Sequence, residues 1–210
     1  EESNGTKSSK FEYKDTADSQ STFISFLRQG FVHVVPLGLD HILFVFGLFL
    51  LSRKWKPLIL QVSAFTVAHT LTLGLATLGI ISVSPQIVEP IIAASIAVIA
   101  LENIFFPGYK PYRLVIVFIF GLIHGLGFAA ALTQIGLPST DVVWALLAFN
   151  VGVELGQVGF VLILLAFGAV INQVAKVDPA WLSIGRKGLI YTVGVVAGYW
   201  AVDRLLSWIG

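Results

Sequence analysis

The 210-residue chain contains no cysteine. This absence excludes disulfide bonds, thiolate nucleophiles and sulfur metal ligands, so any site chemistry must use histidine, carboxylate, amide and hydroxyl groups. Methionine is also absent, although translation begins with it. The chain that begins at Glu1 has therefore been shortened, either at an arbitrary boundary or by cleavage of a signal peptide, and we expect the latter.

Charged residues are scarce as well. They make up 12% of the chain, against the ~25% typical of soluble domains, while 56% of residues are hydrophobic and the mean hydropathy is +0.87. Such a chain cannot cover a soluble globule with polar side chains, whereas a bilayer accepts an apolar exterior. The 13 basic and 12 acidic residues nearly balance, which leaves no basic surface for nucleic acid. The composition predicts an integral membrane protein that has the lipid bilayer as a partner.

Six hydrophobic blocks follow a polar beginning. Residues 1–29 form a polar extracytoplasmic tail with an amphipathic lead-in, and residues 30–210 form the predicted transmembrane domain. Each block is close to or above the ~20 residues that a helix needs to cross hydrocarbon. The sequence predicts an all-α membrane bundle of six transmembrane helices, at Gly30–Leu51, Pro57–Leu78, Gln86–Phe106, Tyr112–Leu132, Val142–Val170 and Gly188–Ile209.

Basic residues concentrate in alternate connections between these spans. The connections after the first, third and fifth spans contain or adjoin eight Lys and Arg residues, whereas Gly79–Pro85 and Thr133–Asp141 contain none. Basic loops are retained in the cytoplasm. We therefore expect a multi-pass protein with both termini, including the N-terminus, outside the cytoplasm.

Histidine and carboxylate side chains occur within the predicted spans at similar depths. A charged group near the centre of a bilayer costs at least ~2.5–3.5 kcal/mol, so each needs a partner, a water-filled cavity or a function. Counted from the span ends at 1.5 Å per residue, they fall in one central slab. The sequence predicts a metal site formed by Asp40, His41, His69, His124 and Glu154.

Other polar residues surround this slab. Asn150, Glu154 and Gln157 share one face of the fifth span because they are four and three residues apart. His33 lies near the outer end of the first span, and two acidic residues lie near the ends of the third. We expect five residues to support the metal ligands or to line the pathway: His33, Glu89, Glu102, Asn150 and Gln157.

Two pairs of glycines flank the polar positions. Gly121 and Gly125 flank His124, and Gly152 and Gly156 flank Glu154. Small residues four apart let helix backbones approach closely within a membrane. We expect these faces to pack directly against other spans and to bring the polar groups of separate spans together.

The donor set allows more than one function. Neutral imidazoles and carboxylates suit zinc, nickel, cobalt, manganese or ferrous iron, and affinity order does not choose among them. A permease would bind such an ion transiently and release it. The same residues could instead hold zinc with an open coordination position in an intramembrane hydrolase. A purely structural subunit and a haem held by two histidines are further alternatives.

Five segments together resemble the HupE/UreJ family of bacterial membrane proteins. They are HVVPLGLDHILFVFGLFLLS, AFTVAHTLTL, VEPIIAASIAVIALEN, FGLIHGLGFAAAL and FNVGVELGQ, and in this order they extend from about Gly30 to Gln157. That family is associated with nickel or cobalt uptake, and its members often carry a cleaved signal peptide. The resemblance implies a nickel or cobalt permease of the bacterial cytoplasmic (inner) membrane.

The chain departs from two motifs of that family. Members typically carry a His followed after five residues by Asp-His, and a later FHGxAHGxE sequence. Here six residues separate His33 from Asp40, and the segment IFGLIHGLG has Phe120 and Gly127 where the family has His and Glu. The resemblance therefore implies a divergent branch, in which Glu154 of the next span replaces the missing carboxylate.

Overall fold

Every secondary-structure element in the described residues of the computed structural model is an α-helix. The described residues are 19–135, 141–174 and 179–209, so most of the predicted polar tail lies outside them. This architecture confirms the predicted all-α class. The helices are α1 (Ser19–Val34), α2 (Leu39–Leu51), α3 (Trp55–Thr77), α4 (Pro85–Phe105), α5 (Arg113–Ile135), α6 (Val142–Val174) and α7 (Pro179–Ile209).

The first predicted span is broken into two helices. The axes of α1 and α2 meet at 64°. Pro36 lies in the break, where its ring and its missing N–H prevent a continuous helix. The carbonyl of Val32 loses its helical donor at Pro36 and accepts instead from the N–H of Leu37 (3.2 Å). Because α1 already begins at Ser19, the predicted boundary at Gly30 falls inside a helix.

Within residues 19–135, 141–174 and 179–209, four helices are long and apolar enough to cross a membrane, namely α3, α4, α6 and α7. The bent pair α1–α2 adds a fifth if the two helices form one span, and Arg113–Ala129 of α5 is a shorter apolar helix. The membrane-helix character is therefore confirmed. The count of six spans and the extracytoplasmic position of the termini stay predictions.

Helices that are distant in sequence form the main contacts. α3 packs on α5, α1 on α6 and α4 on α7, while α2 contacts α4, α6 and α7. The apolar core forms two clusters, and His69 and His124 lie between them along their helices. In α3, Phe65 belongs to one cluster and Leu73 to the other. A polar layer is therefore enclosed between two apolar layers.

Glycines permit the closest of these contacts. A Cβ atom on Gly152 of α6 would lie 2.1 Å from the carbonyl oxygen of Leu27 in α1, and one on Gly156 would lie 2.9 Å from the Cβ of Val34. In the α3–α5 pair, a Cβ on Gly121 or Gly125 would overlap a backbone carbonyl oxygen of α3. Any side chain at these positions would separate the helices that carry the histidines.

The Gly152→Ala substitution is expected to destabilise the fold, because the added methyl group overlaps the α1 backbone. Overpacking of this kind typically costs about 1–3 kcal/mol. The unfolding temperature of the detergent-purified protein measures the effect. Gly159→Ala, in the same helix, is the control because a Cβ there has nothing within 4 Å. Equal unfolding temperatures for the two variants would contradict the close α1–α6 contact.

Candidate metal site

Four histidines from four helices meet in the polar layer. His33 ends α1, His41 lies in the first turn of α2, and His69 and His124 lie within α3 and α5. The ring centroid of His41 is 4.8 Å from that of His33, 5.7 Å from that of His69 and 5.3 Å from that of His124. His41 is therefore the centre of the cluster. The rings of His41, His69 and His124 are almost wholly buried, and that of His33 is half-buried.

The cluster contains two groups of possible metal ligands. One consists of His33, His41 and His69, and the other of Asp40, His41 and His124. Within each group, one donor atom per residue lies within 4.8 Å of the other two. Three convergent nitrogen and oxygen donors are the ligand number of many open metal sites. Because both groups contain His41, they are adjacent positions of one site.

One nitrogen of each imidazole is buried without a hydrogen-bond partner. These atoms are Nε2 of His33, His41 and His69, and Nδ1 of His124. An unpaired buried polar atom is costly and rare in native proteins. Four of them in one cluster indicate a place that is built to receive a ligand.

The tautomer of His69 is set by Asn150 in α6. The amide nitrogen of Asn150 donates to the carbonyl of Leu146 (2.8 Å), which turns the amide oxygen toward Nδ1 of His69 at 3.0 Å. Because that oxygen only accepts, Nδ1 carries the proton. The unpartnered Nε2 therefore keeps its lone pair.

The same logic applies to His124 and His41. The hydroxyl of Ser95 donates its hydrogen to the carbonyl of Ile92 (2.7 Å), so it accepts from Nε2–H of His124 at 3.1 Å. Nδ1 of His41 lies 3.2 Å from Oδ1 of Asp40, so this N–H donates a hydrogen bond to the carboxylate. In each case the unpaired nitrogen holds a lone pair, as in metal-binding histidines whose other nitrogen is hydrogen-bonded.

Glu154 and Gln157 lie beside this cluster, outside both ligand groups. Ser63 of α3 donates to Oε1 of Glu154 at 2.6 Å, and Thr66 donates to Oε1 of Gln157 at 3.0 Å. Oε2 of Glu154 is buried without a partner. Depth along a span does not decide which neighbour a side chain faces, and here α6 turns both residues toward α3.

His33 belongs to the first ligand group, although its sequence position suggested the outer end of a span. The break after Val34 explains the difference. The chain bends by 64° at this break, and the last turn of α1 and the first turn of α2 bring the rings of His33 and His41 to 4.8 Å between centroids. Counting residues along a straight helix therefore misplaces His33, and the Pro36 signal indicates where such counting fails.

A cavity of about 180 Å³ reaches the cluster from the end of the bundle opposite the basic connections. Asp40 and three of the histidines line it, together with the more exposed Glu89 of α4 and Arg204 of α7. Nη1 of Arg204 donates to the carbonyl of Glu89 at 3.1 Å, and its Nε lies 4.0 Å from the carboxylate. Arg204 was not among the predicted site residues. Its place near the end of the last span, at the same end as Glu89, was the available signal.

A larger cavity of about 650 Å³ borders His33 from the side of α1. Ser25, Arg28 and Gln29 contribute its polar lining. His33 and Phe128 line both cavities and therefore separate them. The histidine cluster is thus reached from two directions, and His33 lies between them.

Glu102 is placed away from the cluster. Its Oε2 lies 3.3 Å from Nε of Arg113, a side chain that is only 1% exposed. Arg113 also donates to the carbonyls of Gly108 (2.7 Å) and Phe106 (2.6 Å). The pair joins the end of α4 to the start of α5 at the basic end of the bundle, which is a structural position.

The sequence model of the HupE / UreJ protein family matches residues 9–204, nearly the whole chain. Neither a curated protein nor a solved structure matches the chain significantly. The matched range includes every residue of the histidine cluster and of its hydrogen-bond partners.

Glu102→Gln is expected to lower the unfolding temperature and to leave metal binding unchanged. Breaking a buried ion pair typically costs about 3–5 kcal/mol, because the remaining charge stays buried. For the unfolding temperature, Glu89→Gln is the matched control, since its pair with Arg204 is exposed and such pairs contribute only about 0–1 kcal/mol. Thermal unfolding and calorimetric titration with nickel measure the two effects. If Glu102→Gln lost nickel binding while its unfolding temperature stayed unchanged, Glu102 would have to be a residue of the metal pathway.

Proposed function

Because the chain belongs to the HupE/UreJ family, we propose that it is a permease of the bacterial cytoplasmic membrane that carries a divalent transition-metal ion, nickel or cobalt. The observation that carries the proposal is the convergence of four buried ring nitrogens without partners. Imidazole nitrogen suits nickel, cobalt and zinc, whereas magnesium and calcium prefer oxygen ligands. The donor set therefore favours the borderline transition metals.

The charge of the cluster favours passage over permanent capture. Asp40 is the one carboxylate in the two ligand groups, so the site offers one negative charge to a divalent ion. Conduction requires binding that replaces the hydration shell and still allows release. Neutral imidazoles with a single carboxylate fit this requirement better than two carboxylates at the same place.

The two ligand groups suggest a stepwise path. An ion that enters beside Glu89 first meets Asp40, His41 and His124. It can then exchange ligands for His33 and His69 while His41 stays bound, so no step leaves it without protein ligands. Multiple weak sites in series are a general means of conduction.

The α3–α6 contact continues the path toward the basic end. Asn150 holds His69, and the polar pairs of Thr66 with Gln157 and Ser63 with Glu154 follow along the same two helices. In this proposal Glu154 receives the ion after the histidines, through its unpaired Oε2. It is therefore a later ligand of the pathway and binds separately from Asp40.

The broken helix fits the same function. Transporters commonly build substrate sites from discontinuous helices, whose free ends face the ion. Here the C-terminal end of α1 presents His33, and the first turn of α2 presents Asp40 and His41. We propose that α1 and α2 form one span and that α5 is also a span, which gives six spans with both termini outside.

The hydrolase alternative receives less support from the geometry. It requires a free carboxylate as general base beside a metal-bound water. Glu154 lies outside both ligand groups, and Asp40 is itself one of the ligands, with its Oδ1 in contact with the backbone N–H and the ring of His41. Transport needs no such base.

His41→Ala and Asp40→Asn are expected to abolish nickel or cobalt uptake into reconstituted vesicles. His41 is shared by both ligand groups. Its removal should therefore reduce uptake by more than the ~10–100-fold that is typical when a hydrogen-bond partner of a metal ligand is removed. Thr70→Ala is the control, because Thr70 is adjacent to His69 but its hydroxyl donates to the carbonyl of Thr66. Uptake by His41→Ala equal to that of the unmodified protein would refute the role of the cluster.

Asn150→Leu is expected to weaken nickel binding by about 10–100-fold, because the ring of His69 loses the acceptor that fixes its tautomer. Asn150→Asp retains an acceptor oxygen and should keep most of the affinity. Calorimetric titration at one pH measures both, with the unfolding temperature as the test of folding. If the Leu variant bound nickel as tightly as the unmodified protein, the tautomer argument would fail.

A further inference from the structure

A separate cavity of about 240 Å³ lies at the basic end of the bundle, between the end of α4 and the beginning of α7. Asn103 of α4 and Arg186, Lys187 and Tyr191 of α7 contribute its polar lining. None of these residues belongs to the histidine cluster or to the pathway proposed above. The cavity therefore requires its own explanation.

Two cations, Arg186 and Lys187, line this cavity. In the ranges that the structure describes, neither Arg186 nor Lys187 forms an ion pair. Nη1 of Arg186 donates to the carbonyl of Leu50 at 3.2 Å, which fixes the guanidinium at the end of α2. The nearby Glu102 is occupied by Arg113. The cavity thus presents two positive charges to an anion, and one of them, Arg186, is held by a backbone carbonyl.

Asn103 adds an independent requirement. Its side chain is 4% exposed, and its amide nitrogen donates to the carbonyls of Gly47 and Ile99. Its Oδ1 is buried without a partner. A ligand that completes this cavity must therefore carry a hydrogen-bond donor as well as a negative charge.

The depth of the cavity indicates that the ligand comes from the bilayer. The contact of Arg186 with Leu50 lies at the end of α2, and Asn103 lies in the last turn of α4, where the apolar helices end. Tyr191 is 57% exposed beside the cavity, in the interfacial position that tyrosine favours. Phe105 is 67% exposed at the same end and offers apolar surface to an acyl chain.

We propose that this cavity binds the headgroup of an anionic glycerophospholipid that has a free headgroup hydroxyl. The phosphate contacts Arg186 and Lys187, and the hydroxyl donates to Oδ1 of Asn103. Basic pockets between transmembrane helices are typical sites for anionic headgroups. The bound lipid joins α7 to the ends of α2 and α4, and this role is independent of metal transport.

The test uses the full chain purified in uncharged detergent, with lipid binding counted by native mass spectrometry and stability followed by thermal unfolding. Phosphatidylglycerol is expected to bind one per chain and to raise the unfolding temperature as its concentration increases. Phosphatidylcholine should do neither. Phosphatidylmethanol, which is anionic but has no headgroup hydroxyl, should bind more weakly than phosphatidylglycerol.

Charge variants locate the site. Lys187→Gln is expected to weaken phosphatidylglycerol binding about fivefold, and the double variant Arg186→Gln with Lys187→Gln about 30-fold, at about 1 kcal/mol per cation. The matched control is Arg53→Gln with Lys54→Gln, which removes two exposed cations from the same end but outside the cavity. Lys187 is exposed, so its single variant decides the matter if the double variant does not fold.

Three outcomes would overturn the proposal. Equal losses in the cavity pair and the control pair would mean that only the general charge of this end attracts the lipid. Equal binding of phosphatidylcholine would exclude an anion site. A full thermal shift with inorganic phosphate alone would identify a phosphate site that does not need a lipid.

Discussion

The enclosure of the histidine cluster between two apolar layers, with three rings buried and that of His33 half-buried, is the constraint on which the rest of the structure depends. Each ring has two nitrogens, and a bilayer supplies no water to satisfy them. Asp40, Ser95 and Asn150 each satisfy one nitrogen of one ring, and two of these partners are themselves held by backbone carbonyls. The other nitrogen of each of these three rings thereby keeps its lone pair and has no hydrogen-bond partner. The polar residues of α4 and α6 are in this sense parts of the histidine cluster.

Two backbone features make this convergence possible. The break at Pro36 lets one predicted span contribute residues to the site from two helix ends. A continuous helix could contribute from only one level. Glycine at positions such as Gly121 and Gly152 lets the paired helices approach until a Cβ would overlap the neighbouring backbone. Because glycine has no Cβ, α3 and α5 come close enough for His69 and His124 to lie around His41.

Much of this arrangement follows from the sequence, because composition gives the membrane environment and residue counting gives depth. The all-α membrane class and the family were predicted and are confirmed, and the structure brings Asp40, His41, His69 and His124 together. Counting does not give direction around a helix. It therefore did not separate Glu154, which contacts Ser63, from the ligand groups, nor show that Glu102 pairs with Arg113. Counting along a straight helix also misplaced His33, because the count does not include the backbone break after Val34.

The position of the apolar layers also constrains how an ion could leave. The two cavities that border the histidines are lined by residues toward the end opposite the basic connections, including Glu89 and Ser25. Toward the basic end, Phe44 and Phe65 of the apolar core pack against the histidine rings. The pairs of Ser63 with Glu154 and Thr66 with Gln157 cross this layer along α3 and α6. In the proposed permease, release toward the basic end then requires α3 and α6 to separate where those pairs now join them, because the two hydrogen bonds close the contact between these helices.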